Sequence, residues 1–132
     1  MGSAGVAGAP PLGYIFDLVN MNAPDLFGAF ANPTRLRILN LLHEQKEICV
    51  CDLCEVLAEP QPKVSRHLGI LRSTGLVEVR SDGKWKFYGL AAPATPLQRT
   101  LLRCVRGCLS ELEDLVADRE RLAAIEPRPR CR

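Results

Sequence analysis

Residues 48–71 read ICVCDLCEVLAEPQPKVSRHLGIL, and this stretch decides the fold. Its first half places Cys49, Cys51 and Cys54 within six residues. In its second half Val64, Leu68 and Leu71 recur at helical spacing, which turns Lys63, Ser65, Arg66 and His67 outward. The joint Glu59-Pro60-Gln61-Pro62 separates the halves. Two short helices about a tight turn, the second basic on its outer face, predict a helix-turn-helix with a recognition helix.

Upstream, Asn32-Pro33 opens a helix, with Asn as N-cap and Pro at the first helical position. Leu36, Ile38, Leu39 and Leu42 give it an inward face as far as about His43, which reads as a surface or capping residue. Pro24 and Asp25 suit the first turn of an earlier helix carrying Leu26, Phe27 and Phe30. Residues 1–23 form a flexible extension, although 14–19 is apolar enough for a short helix that docks on a partner subunit.

Downstream, Gly75 supplies a left-handed end to the recognition helix. Residues 76–80 and 85–90 alternate like strands around Asp82-Gly83, a two-residue hairpin signal, and form a wing. Trp85 and Phe87 share the face that anchors it, while Lys84 and Lys86 project from the other. From Leu97 one long helix follows, with Leu101, Cys104, Val105, Cys108, Leu109, Leu112, Leu115 and Val116 in a single stripe. A lone winged helix does not bury so long a stripe. A twofold dimer with Leu112 and Leu115 in the interface does. Residues 127–132 are a disordered basic tail.

The fold class expected is therefore mainly α with a small β-hairpin wing, in the order α-α-α-α-β-β-α, dimerising through terminal helices. Residues 24–126 make one domain, since 132 residues with 47% apolar content suit a single core.

The net charge of +2 argues little by itself, but its distribution does. Residues 44–59 set Lys46 against five acids, whereas residues 61–86 set six lysines and arginines against Glu78 and Asp82. A basic stripe confined to the second helix and wing is the footprint of phosphate contact. No lysine or arginine precedes Arg35 and no apolar run reaches membrane-spanning length, so a soluble cytoplasmic protein is expected. Six cysteines in that reducing compartment favour metal or redox chemistry over disulfides.

Ile-Cys-Val-Cys-Asp-Leu-Cys followed by Gln-Pro-Lys-Val-Ser-Arg-His-Leu resembles the ArsR/SmtB family of metal-sensing repressors, in its arsenite/antimonite-responsive branch. The likeness runs over about residues 24–90, through Asn32-Pro33-Thr34-Arg35 and Gly83-Lys84-Trp85. It implies a homodimeric winged-helix repressor of operator DNA, derepressed by As(III) or Sb(III). It also implies that Gln61, Lys63, Ser65, Arg66 and His67 meet the major groove or its phosphates, with Lys84 and Lys86 serving the wing. Pro60 stands where related sequences carry Ser, so a capping hydroxyl is missing.

Thiolates select soft ions, and As(III), Sb(III), Cd(II), Pb(II) and Zn(II) all qualify. Trivalent arsenic takes three sulfurs in a pyramid, which Cys49, Cys51 and Cys54 can supply without a further ligand. A four-coordinate zinc site wants one more. At about 100° per residue, Cys51 and Cys54 lie roughly 60° apart on one helix face and Cys49 roughly 140–160° from either. Either Cys49 precedes the helix or binding unwinds its first turn. A position at a helix N-terminus is expected to lower the thiol pKa values. Cys104 and Cys108, four apart on the apolar stripe, read first as packing residues; the alternative is a secondary metal site, or an extension of the first across the dimer. Sensing of Cd(II), Pb(II), Zn(II) or thiol redox state through the same cysteines is the competing function. An enzyme is not expected, because no anion loop or catalytic His/Asp set accompanies the thiols.

Overall fold

The computed structural model describes residues 23–126, so the segment at 14–19, the basic tail and Cys131 lie outside it. The elements in order are α1 (Ala23–Phe30), α2 (Pro33–Glu44), β1 (Ile48–Cys49), α3 (Val50–Leu57), α4 (Gln61–Ser73), β2 (Val77–Asp82), β3 (Trp85–Leu90), α5 (Pro96–Gly107) and α6 (Glu113–Ala123). This is a winged helix-turn-helix, with α3 and α4 as the two helices of the motif and β2–β3 as the wing.

Local chemistry sets the boundaries. Asn32 Oδ1 accepts from the Arg35 backbone N–H at 3.1 Å and Pro33 is the first residue of α2. Helix α4 starts after Pro60 with no side-chain cap, as the missing hydroxyl predicts, and Gly75 follows its end at φ +78°. Between α3 and α4, Ala58 adopts a left-handed conformation; its N–H donates to the Glu55 carbonyl and the Glu59 N–H to that of Cys54. Ile38, Leu39, Leu53, Val64, Leu68, Leu71 and Leu76 are fully buried in one core.

Three features of the chain differ from the expectation. The wing is a three-stranded antiparallel sheet in the order β1-β3-β2, because Ile48 and Cys49 pair with Tyr88 and Phe87. A two-residue strand carries no periodic signal, so its partner must be seen. Gly89 makes room for it: a Cβ there would lie 2.6 Å from the Lys46 carbonyl oxygen. The β2–β3 loop is Gly83-Lys84, one residue later than Asp82-Gly83, since Asp82 pairs with Trp85.

The long C-terminal helix is instead two, α5 and α6, separated at 108–112. Leu112 has an extended backbone at the start of α6, whose first turn carries Glu113 and Asp114 where acids suit a helix N-terminus. The break lets α6 fold back on α2. Asn40 Nδ2 donates to the Leu115 carbonyl at 3.1 Å, and Arg119 donates to Asn40 Oδ1 at 2.8 Å. Leu115 is therefore 2% exposed within its own chain and is not interface surface, whereas Leu112 is 51% exposed. Leu112 and Leu115 border an apolar groove of about 470 Å³ that also takes in Phe30 and Leu36. Among the described residues no helix is long and apolar enough to cross a membrane.

Candidate functional site

The thiols sit where the wing sheet runs into the helix-turn-helix. Cys49 is the last residue of β1 and the N-cap of α3, so it precedes the helix, the first of the two geometries open from spacing. Its sulfur lies 2.8 Å from that of Cys51, and among the described residues there is no disulfide. Both pack in a small cluster with Phe87 and Trp85. Cys54 does not share it: it packs against the main core. The three thiols are thus divided between two hydrophobic clusters. Among the described residues no group of three His, Cys, Asp or Glu side chains converges as an ion site.

The Cys54 thiol runs against the expected lowering of pKa. Burial pushes it up, and the neighbouring sulfurs of Cys51 and Cys49 add to the rise. Position near a helix N-terminus does not outweigh loss of water in the second turn.

Register explains how the thiol pair meets the wing. Cys49, Phe87 and Arg80 stand directly opposite one another across the three strands, so their side chains share one face. The Arg80 guanidinium lies over the Phe87 ring, 4.6 Å from its centroid. It also donates through Nε and Nη2 to the Glu47 carboxylate at 2.9–3.1 Å. That pairing holds the Glu47 carboxyl below its usual range. The row Cys49–Phe87–Arg80 closes through Glu47, two residues ahead of Cys49. Composition offers no signal for this closure, since Arg80 and Glu47 are thirty-three positions apart.

On α4, Gln61, Ser65 and Arg66 are exposed, and Lys63 is half-buried in an ion pair with Glu59 at 3.1 Å. His67 corrects the reading of an outward residue, for it is 5% exposed. Three residues after Val64 and four before Leu71, it shares their inward face, a position the spacing already contained. Arg35 Nη1 donates to His67 Nδ1 at 3.1 Å while Nε and Nη2 donate to the carbonyls of Ala29 and Gly28. Burial holds the imidazole pKa down, and Arg35, Arg66 and Lys63 depress it further. A neutral His67 thus joins the recognition helix to α1 and α2 and leaves the outer face to its neighbours.

In the wing, Lys84 and Lys86 are both exposed; the Lys84 ammonium lies 5.5 Å from the Trp85 ring centroid and that of Lys86 donates to Ser81 Oγ at 2.8 Å. His43 is no ligand candidate, because its Nε2 donates to the Leu102 carbonyl at 3.1 Å and burial lowers its pKa. Within the single chain Cys104 is half-buried and Cys108 exposed.

Residues 32–79 match the family described as "Bacterial regulatory protein, arsR family". The chain is 35% identical over 109 residues to an arsenic resistance transcriptional regulator of Pseudomonas putida, covering 83% of this chain and 84% of that protein. The chain belongs to the ArsR family. Over 66 residues it is 53% identical to the arsenical resistance operon repressor of Escherichia coli, covering half of this chain and 56% of that one. Among solved structures, the homodimeric winged helix-turn-helix DNA-binding domain of a possible ArsR-family regulator from Mycobacterium bovis superposes with a TM-score of 0.59. There the identity is 27%, over 80% of this chain and 94% of that one. ArsR-family proteins are DNA-binding transcriptional regulators rather than enzymes, and this chain is one of them.

Proposed function

We propose that this ArsR-family regulator is a homodimeric repressor that binds a pseudo-palindromic operator and leaves it when As(III) or Sb(III) is captured by Cys49, Cys51 and Cys54, so that arsenic-resistance genes are transcribed. The observation that carries the reading is the division of the thiols between two clusters, with Cys49 and Cys51 against the wing and Cys54 against the core. An ion that takes all three sulfurs must draw the two clusters together. Cys49 is paired to Phe87 in the wing and α3 leads directly into α4, so neither DNA-binding element is left in place. The relatives named for arsenic resistance support the choice of inducer.

In this reading Gln61, Ser65 and Arg66 face the major groove. Lys63, once released from Glu59, and the wing residues Lys84 and Lys86 serve the phosphates. His67 acts indirectly, by fixing the helix that carries them. The exposed Phe27 and Leu112 supply apolar surface for the second copy. The competing reading, a thiol redox sensor, draws on the 2.8 Å approach of Cys49 to Cys51.

Proton balance separates inducers. As(OH)₃ and three thiols give three As–S bonds and three waters, with no proton released, whereas Cd(II) or Zn(II) must displace protons from the thiols. Operator mobility-shift titrations under strict reduction test this directly. Release by As(III) at a concentration unchanged between pH 6.5 and 7.5 is expected. Release by Cd(II) alone, growing easier with pH, or by oxidant alone, would replace this function with one of its competitors.

A further inference from the structure

Glu59 is the only carboxylate between Glu55 and Glu78, a span that holds the whole of the recognition helix α4. It closes on the first cation of that helix: Lys63 Nζ lies 3.1 Å from Glu59 Oε1, and both residues are half-buried. The backbone holds both partners in place. The Glu59 N–H donates to the Cys54 carbonyl at 3.2 Å and the Lys63 N–H to the Pro60 carbonyl at 3.1 Å, so the pair spans the turn of the helix-turn-helix. Arg66 and Arg72, the other cations of α4, are exposed and enter no ion pair among the described residues. We propose that Glu59 is a built-in competitor for the DNA backbone: its carboxylate takes on Lys63 the place that a phosphate takes in the complex, and so lowers the affinity for DNA of any sequence.

A carboxylate oxygen and a phosphate oxygen ask the same of an ammonium, a charge-assisted N–H···O contact. Lys63 is a compact point charge and does not serve both at full strength. DNA binding therefore either breaks the contact with Glu59 or leaves that carboxylate facing a phosphate, and each is unfavourable. Phosphates are alike along the duplex, so the penalty falls equally on operator and unrelated DNA and leaves sequence preference as it is. Lys63 serves as a phosphate contact in the function proposed above, and this competition rests on that reading; the thiols and the inducer take no part.

Fluorescence anisotropy of the full-length chain with two labelled duplexes tests it, one from upstream of its own gene and one of the same composition in scrambled order. Salt is varied over roughly 50–200 mM. Lys63→Gln should bind both duplexes more weakly with a flatter salt slope, which reads the phosphate role itself. Glu59→Gln should bind both more tightly, by about 1.5- to 5-fold per protomer. Its salt slope should be steeper by up to about 0.9 per protomer, a readout that a purely structural role does not move. In the Lys63→Gln background, Glu59→Gln should lose most of that gain. A thermal melt checks that each variant is folded. Wild-type binding by Lys63→Gln would remove the phosphate role and the competition with it. If Lys63→Gln binds more weakly, three results overturn the competition alone: no gain in Glu59→Gln, an equal gain in the Lys63→Gln background, or a gain confined to the upstream duplex.

Discussion

The last turn of α3 is surrounded by donors and fixed charge, while its first turn is surrounded by sulfur and aromatic rings. At the C-terminal end, Arg121 Nε donates to the Val56 carbonyl at 3.1 Å and Arg37 Nη2 reaches that of Leu57 at 3.5 Å. Both guanidiniums also bind Asp118, which is 0% exposed; Arg37 meets it in a fork at 2.7 and 2.9 Å. The carbonyl of Cys54 itself accepts from Glu59. At the N-terminal end, Cys49 makes no side-chain capping bond to the helix backbone, and its sulfur meets that of Cys51 at 2.8 Å. It is also tied by two rungs of sheet and by the packing of Phe87 and Trp85. One ligand of the proposed site thus sits on the clamped half and two on the half tied to the wing. Capture of an ion should move the second toward the first.

The largest effect should come from the clamp. Asp118→Ala removes the buried carboxylate that holds both Arg37 and the half-exposed Arg121, and each hydrogen bond to a charged group that is lost costs about 1.5–3 kcal/mol. Urea unfolding should show that loss, and a loss below about 1 kcal/mol would mean that α6 does not hold the end of α3.

Next in size is the hinge. Cys49→Ser should bind the operator like wild type yet lose most of the coupling between inducer and DNA, typically about 1–3 kcal/mol in such systems. Mobility shifts with and without arsenite measure it, and Cys104→Ser should behave like wild type in the same assay. A Cys49→Ser protein released normally by arsenite would remove Cys49 from the ligand set.

Smaller still is the link from hinge to wing. Glu47→Gln leaves the stacking of Arg80 on Phe87 but removes the charge that fixes it. Thermal stability should hardly move, since the pair is solvent-exposed. The arsenite concentration for half-release should rise. Unaltered release would confine the coupling to α4.

Much of this was legible in the residues alone. The caps at Asn32 and Gly75, the inward stripe Val64–Leu68–Leu71 and the hairpin each rest on short-range chemistry, and the structure contains all of them. What escaped depends on distant partners. The strand Ile48–Cys49 exists only because β3 lies beside it. The break before Glu113 exists because Asn40, Arg37 and Arg119 draw α6 back onto α2, although the apolar stripe ran on unbroken through 112. His67 differs for another reason: its residue type favours the outer face, but its place on the helix wheel between Val64 and Leu71 turns it inward.

Amide hydrogen exchange with and without arsenite tests the unequal ends of α3 most directly. Residues 48–52 and 85–88 should change their exchange by roughly 5–150-fold, the span of ordinary allosteric coupling. Residues 55–59 and the α6 amides around Asp118 should stay as they were. Equal change at both ends of α3, or change confined to the C-terminal end, would contradict the account.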